Sequence, residues 1–370
     1  MNNYRSYIAT ALISIIILPP QTTFAAYRFS QFRARPPIHV FGNAAPAPRG
    51  LAPAQIKEAY NLPTSGGRGT IAIIAAYDDK TIENDLNIFS KEYALGSCTT
   101  ANGCFEKHLM SAGTTANAGW AMETSLDVEW SHAIAPNAKI LLVAAKTPSG
   151  PNLLAAVDYA RTRNDVVAIS MSWGGGEFID ETTLDDHFTS SRGAVFFASS
   201  GDNGYGVSWP AASKNVVAVG GTRLVISNNT LLAETAWSGS GGGVSAYETE
   251  PAWQKNYSIP KANGHRAVPD VAYNADPASG FSVYKTTGKG KNNWYVLGGT
   301  SAGAPQWAAI HALNLSATPE KLYSDKASAN NGKYFRDIVS GSNGDCLFFC
   351  NARKRYDYVT GLGSPLTTKF

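Results

Sequence analysis

Glu123 and Asp127 lie four residues apart in a stretch of helical periodicity. That spacing puts both carboxyls on one helical face, with about 5–6 Å between their Cβ atoms. Two like charges so close are unfavourable unless they share a proton, hold a cation or face open water; sharing raises one apparent pKa and suits acid–base chemistry in acidic medium. Trp130 follows Glu123 by seven residues and Ile134 follows Asp127 by seven, so this face also carries apolar residues and points inward. A nucleophile for such a pair is Ser301, in Gly298-Gly299-Thr300-Ser301-Ala302-Gly303-Ala304-Pro305 between an expected strand at 294–297 and an expected helix at 306–313. At a helix N-terminus, unpaired N–H groups and the dipole favour developing negative charge. A plain Gly-Thr-Ser helix cap would read the same way locally.

Two strand tips add further groups. Asp202, in Ser199-Ser200-Gly201-Asp202-Asn203-Gly204, either shapes a turn or faces a crevice, where its protonated form donates to an oxyanion. Ser172, Trp173 and Gly174 end another strand, and their exposed backbone could pair with an extended peptide. An ordinary glycine-rich turn shares that pattern. The histidines are His39, His108, His132, His187, His265 and His311, none in a His-Gly-Thr-His setting or after a strand tip. His311 reads as a packed or surface residue, which leaves Glu123 and Asp127 as the candidate base for Ser301.

The elements that must position these groups alternate. Apolar strand runs at 70–76, 139–145, 166–172, 194–199 and 216–220 are separated by helical spacings at 51–60, 82–93, 118–134, 152–162 and 182–191. This predicts an α/β fold with a mainly parallel central sheet and helices on both faces, binding ligands beyond the carboxyl ends of its strands. A hairpin is expected at 223–237 with its turn at 227–230, a flexible glycine loop at 238–245, and a second hairpin-like pattern at 280–297 around 288–291. Residues 51–370 read as one domain, preceded by a flexible lead-in at 26–50 that is rich in proline and arginine and lacks periodicity.

The 370 residues, 44% hydrophobic and 16% charged, can bury a substantial core, and a net charge of +3 without a basic run argues against a nucleic-acid partner. Residues 1–25 have the charged, apolar and small-residue regions of a secretory signal, and no later run is long enough to span a membrane. The expectation is a secreted protein, extracellular or periplasmic, without membrane attachment after signal cleavage. Cys98/Cys104 and Cys346/Cys350 favour two local disulfides over a zinc site, although four cysteines allow three pairings.

Five motifs in order resemble the sedolisins, the serine-carboxyl peptidases of subtilisin-like fold. They are Glu123-x-x-x-Asp127, Ser172-Trp173-Gly174-Gly175, Ser200-Gly201-Asp202, Val268-Pro269-Asp270-Val271 and Gly299-Thr300-Ser301-x-x-x-Pro305. The resemblance covers about 51–365 and implies an endopeptidase cutting protein or peptide substrates at acid pH; a monomer is expected. Ser301 would be the nucleophile, Glu123 the general base and then acid, Asp127 its orienting partner and Asp202 the oxyanion-stabilising acid. Ser172, Trp173 and Gly174 would bind substrate. Reference pKa values near 3.9 and 4.3 let a carboxyl pair exchange one proton in acid, where histidine would be charged and useless as a base. The resemblance also implies one Ca²⁺ ion, held by the Asp337 and Asp357 side chains and the carbonyls of Ile338, Arg353 and Arg355. Two departures stand out. Arg353 and Arg355 replace family glycines, and only residues 26–50 separate the signal from the matched region, where family members usually carry a long propeptide domain. The alternative function is a catalytically silent sedolisin-like binding protein.

Overall fold

The structure is a computed structural model that describes residues 28–287, 293–324 and 331–368. The expected signal at 1–25 and the turn at 288–291 lie outside the described residues.

Continuous apolar runs form the middle of the molecule because each of their faces is covered by helix. The short N-terminal strand is β1 (His39–Val40). The sheet then takes β2 (Thr70–Ala76), β3 (Phe105–Leu109), β4 (Lys139–Ala145) and β5 (Val166–Met171), and the small pair β6 (Gly175–Gly176) and β8 (Ser208–Trp209) flanks β7 (Val195–Ser199). Beyond these run β9 (Val216–Ser227), β10 (Thr230–Ala236), β11 (Gly243–Thr249), β12 (His265–Val268), β13 (Val271–Asn274), β14 (Phe281–Tyr284) and β15 (Trp294–Gly298). The eight-stranded central sheet has the order β10-β9-β7-β5-β2-β4-β3, with β13 beside β9. All its pairings are parallel except the β9–β10 hairpin, whose register joins Ser227 to Thr230 as the turn signal predicts. All seven residues of β2 are buried.

The helices are α1 (Pro53–Ala59), α2 (Ile82–Glu92), α3 (Ala118–Ile134), α4 (Gly150–Arg161), α5 (Ala252–Tyr257) and α6 (Gly303–Asn314). α3 and α6 pack against each other and onto β2, while α4 packs on β4, β2 and β5. Asn117 caps α3 by accepting a hydrogen bond from the Trp120 N–H. From Glu123 to Ile134 every residue of α3 is buried, so its polar side chains face protein on all sides.

Four expectations are corrected. The strand expected at 216–220 runs on to Ser227, because its second half pairs with β10. The helix expected at 182–191 is a 3₁₀ segment, Glu181–Phe188. The glycine stretch at 238–245 is not a flexible loop: residues 240–243 are buried, and a Cβ on Gly241 or Gly242 would collide with the Ser200 or Tyr358 carbonyl. Glycine serves there to admit close backbone contact. The described part of the lead-in, 28–50, also differs from a flexible segment. It gives main-chain hydrogen bonds to Pro148, Gly174, Val296 and Trp294, and Phe32 is 1% exposed. Its partners are far away in sequence, so no local periodicity announces the packing. Both cysteine pairs form local disulfides, Cys98–Cys104 and Cys346–Cys350.

Candidate active site

The carboxyl ends of the parallel strands bring the expected groups together. Glu123 and Asp127 come from one face of α3, Ser172 follows β5, Asp202 follows β7, and Ser301 sits in the 3₁₀ turn Thr300–Ala302 that leads into α6. Gly299 makes the approach to that turn at φ 126°, a backbone geometry few side chains tolerate. Pro305 lies in the first turn of α6, where its missing N–H costs nothing.

Glu123, Asp127 and Ser301 are each at most 1% exposed. Both Glu123 carboxyl oxygens, Asp127 Oδ2 and Ser301 Oγ are buried without a hydrogen-bond partner. Such unpaired buried groups are rare and costly, so their clustering marks a site that something else completes. Burial, and secondarily the Asp127 charge, raises the Glu123 pKa well above the ordinary carboxyl range; the nearby Ser301 hydroxyl opposes the rise, although it lies outside hydrogen-bonding geometry. Burial pushes Asp127 up to about 8, against the lowering contacts of Ser172 and Glu123. The pair therefore exchanges protons as a unit.

Ser172 Oγ lies 2.7 Å from Asp127 Oδ1 and 3.0 Å from the Ser301 carbonyl oxygen. One hydroxyl proton cannot serve two acceptors. Both bonds are complete only when Asp127 carries a proton and donates to Ser172, which in turn donates to the Ser301 carbonyl. Ser172 thus ties the carboxyl pair to the Ser301 backbone, a position that the strand-tip pattern alone does not reveal. Trp173 is wholly buried and donates its indole N–H to the Ile74 carbonyl at 3.0 Å, so its side chain is part of the core. Gly174 lines the cleft, where its N–H and carbonyl are both bonded to the Arg35 main chain.

Asp202 is held by one oxygen. Thr300 donates to Oδ1 through its N–H (2.8 Å) and its hydroxyl (2.7 Å). The other oxygen, Oδ2, lies 3.1 Å from His39 Nε2. Burial raises the Asp202 pKa while His39 and Thr300 pull it down; the Asp202 carboxylate beside it raises that of His39, although the two lie outside hydrogen-bonding geometry. Sequence reading missed His39. Long-range pairing of β1 with β15 brings it here, and neither its spacing nor its neighbours signal the position.

Main-chain hydrogen bonds tie both expected calcium carboxylates to the loop around Arg353 and Arg355. Asp337 Oδ1 is buried without a partner, and Oδ2 accepts the Arg355 N–H at 2.9 Å. Asp357 accepts N–H groups from Arg353, Val359 and Thr360, yet burial still pushes it up to about 7. The carbonyls of Ile338, Arg353 and Arg355 accept no hydrogen bond among the described residues. Arg355 takes φ 69°, in the left-handed region, and the Arg353 guanidinium stacks 4.1 Å from the centre of the Phe348 ring. Two carboxyls and three free carbonyls fit a hard, oxygen-seeking cation.

The model of the subtilase family matches residues 108–334. Kumamolisin from Bacillus sp. (strain MN-32) is 30% identical, over 98% of this chain and 72% of that protein. The chain belongs to the sedolisin family of serine-carboxyl peptidases. Sedolisin from Pseudomonas sp. (strain 101) is 28% identical, over 84% of this chain and 58% of that one. Among solved structures, Pseudomonas sedolisin complexed with two molecules of pseudo-iodotyrostatin superposes with a TM-score of 0.72 at 26% identity, covering 88% of this chain and 96% of the other. Sphericase, at 21% identity and a TM-score of 0.56, shares the subtilisin-like fold. The sedolisin architecture thus accounts for the parallel sheet and for a serine after a glycine pair at the head of a buried helix.

Proposed function

We propose that this sedolisin-family chain is a secreted, acid-acting endopeptidase that works through an acyl-enzyme on Ser301. The observation that carries this reading is the cluster of unpaired buried oxygens shared by Glu123, Asp127 and Ser301, with no histidine among them. In the reactive arrangement the proton that the pair shares sits on Asp127, and Glu123 is ionised. Glu123 takes the Ser301 Oγ proton as Oγ bonds to the peptide carbonyl carbon. Asp202, protonated at Oδ2, donates to the oxyanion, and the N-terminus of α6 stabilises the same charge. Glu123 then gives its proton to the leaving amine. Water attacks the ester by the reverse sequence, and Ser301 recovers its proton. Ser172 holds Asp127, while the Gly174 main chain pairs with extended substrate.

Export is supported by two disulfides and by the absence, among the described residues, of a helix long and apolar enough to cross a membrane. A monomer with one peptidase domain over 51–370 completes the reading. Asp337, Asp357 and the carbonyls of Ile338, Arg353 and Arg355 would hold one Ca²⁺, which supplies positive charge that fixes the loop before Ser364–Pro365. At saturating calcium the stabilisation is about 3 kcal/mol. A chelator should therefore lower the melting temperature by several degrees, and an unchanged melt removes the site.

The deciding experiment is a pH series on a denatured protein substrate with wild type and Ser301→Ala. Cleavage should rise below neutral pH and vanish in the variant. Unchanged cleavage by the variant, or an alkaline optimum, would sink the assignment; no cleavage by either chain would return the silent binding protein.

A further inference from the structure

Leu347 stands at the tip of the loop that the Cys346–Cys350 disulfide closes, and it is 79% exposed. Its backbone takes φ 52°, in the left-handed region; Lys261 at 65° and Arg355 at 69°, both exposed, do the same. That region disfavours a residue with a Cβ, and Gly or Asn fills it at least cost. Every other exposed non-glycine residue held there, among those described, is Asn, Ser or Ala. So three exposed positions carry a leucine and two long cations where a smaller residue would suit the backbone better. A local rule broken with no gain in packing marks a surface kept for something outside the fold.

The three gather at one place. The Lys261 ammonium and the Arg353 guanidinium each sit 4.1 Å from the centre of the Phe348 ring, and Phe348 lines a pocket of about 260 Å³ with Arg353, Lys354 and Arg355. Phe349 carries the apolar side on to Tyr205, itself 45% exposed, with ring centres 6.2 Å apart. The loop is firmly held: the Asn343 N–H donates to the Cys350 carbonyl at 3.0 Å, and the Asn351 side-chain amide to the Leu347 carbonyl at 2.7 Å. None of Lys261, Arg353, Lys354 and Arg355 forms an ion pair among the described residues. Of the carboxyls at 337–357, only Asp345 is exposed; Asp337 and Asp357 accept the Arg355 and Arg353 N–H groups.

We propose that this patch docks the chain onto an anionic lipid surface, Leu347 entering the acyl boundary while Lys261, Arg353, Lys354 and Arg355 meet the headgroups. Neither half suffices alone, because one apolar anchor or a few cations hold a bilayer only marginally, whereas the two contributions add. A soluble polyanion would engage the cations and leave Leu347 in water, so the apolar tip is what singles out a bilayer. The disulfide and the main-chain bonds already order the loop, and little conformational freedom is lost on contact. The contact is peripheral and needs no spanning segment. It departs from the expected absence of membrane attachment and leaves the peptidase reading untouched.

The test floats the exported chain, its mass checked for loss of residues 1–25, with vesicles of phosphatidylcholine alone or mixed with phosphatidylglycerol, and also passes it over immobilised heparin. The chain should bind the vesicles that carry phosphatidylglycerol far better than the others, and added salt should weaken that binding. Leu347→Asn should weaken it about tenfold. The same variant should keep its heparin retention and its melting temperature, since Asn tolerates left-handed backbone. Lys261→Gln and Lys354→Gln should each weaken vesicle binding about fivefold and shorten heparin retention as well. No binding to the anionic vesicles, equal binding to both kinds, or vesicle binding that Leu347→Asn leaves intact overturns the proposal. The last result, with heparin still retained, would assign the cations to a soluble polyanion instead. Because nothing here depends on turnover, failure of the peptidase reading and failure of the docking surface give different results.

Discussion

Asp270 and Glu123 are buried alike, and almost everything around them differs. Asp270 receives a two-pronged contact from Arg266 at 2.8 and 2.5 Å, the Tyr323 hydroxyl at 2.8 Å and the Ala218 N–H at 2.7 Å. Glu123 receives no hydrogen bond at either oxygen. A buried charge that is paired and fully hydrogen-bonded is a structural clamp, since removing one partner strands the other. A buried carboxyl without donors stays neutral until a reaction needs its ionised form, which makes it useless as a clamp and suitable as a base. The motif set contains both residues, so inclusion in a motif does not by itself separate chemistry from architecture.

The largest expected effect breaks the comparison at Glu123. Glu123→Gln keeps the shape and the neutral form while abolishing the base, so kcat/KM should fall about 10³–10⁴-fold with the unfolding midpoint at pH 5 unmoved. Asp270→Asn should show the reverse, losing about 3–5 kcal/mol of stability because Arg266 keeps an uncompensated buried charge. Urea unfolding and steady-state kinetics on both variants decide the matter. If Glu123→Gln unfolds early while retaining activity, the two residues have been assigned the wrong way round.

Asp202 lies between these extremes, with one oxygen satisfied and the other shared. Asp202→Asn keeps an acceptor for Thr300 and places an amide where the acid would donate. The expected loss is about 10²–10³-fold in kcat with little change in KM. Because an amide does not titrate, the fall in activity that wild type shows as Asp202 loses its proton should flatten. A pH profile of kcat reads this directly, and an unaltered profile would remove Asp202 from the chemistry.

How legible these differences are depends on the distance over which each is set. The spacing of Glu123 and Asp127 is a local helical fact, and β2 and β4 are continuous apolar runs, so the site's frame could be read from the chain. The edge strand β3 mixes Glu106, Lys107 and His108 with its apolar residues and gives no comparable signal. The buried glycines at 241–243 look like a loop because only their distant partners, Ser200 and Tyr358, make the contact tight. His39 is the clearest case. Its neighbours are unremarkable in pattern, and its place beside Asp202 follows wholly from the antiparallel pairing of β1 and β15.

The smallest effect extends the comparison to carboxyls away from the site. Burial, with the Glu177 charge second, pushes Glu181 up to about 9; burial, with the Asp185 charge second, pushes Glu248 up to about 8. A carboxyl whose folded pKa exceeds its unfolded value binds its proton more tightly in the native state, so the stability it lends is complete below the unfolded pKa, near 4.5. That stability drains away as pH rises through about 8 for Glu248 and about 9 for Glu181. Asp127, at about 8, and Glu123, raised still by burial, add to the same slope. The melting temperature should therefore be higher at pH 5 than at pH 9. Glu248→Gln, which cannot ionise, should narrow the gap by a few degrees without altering the melt at pH 5, whereas Glu123→Gln should narrow it and abolish activity as well. A melt that improves toward pH 9 would mean that these carboxyls find counter-charge in the folded protein, and the contrast with Asp270 would then vanish.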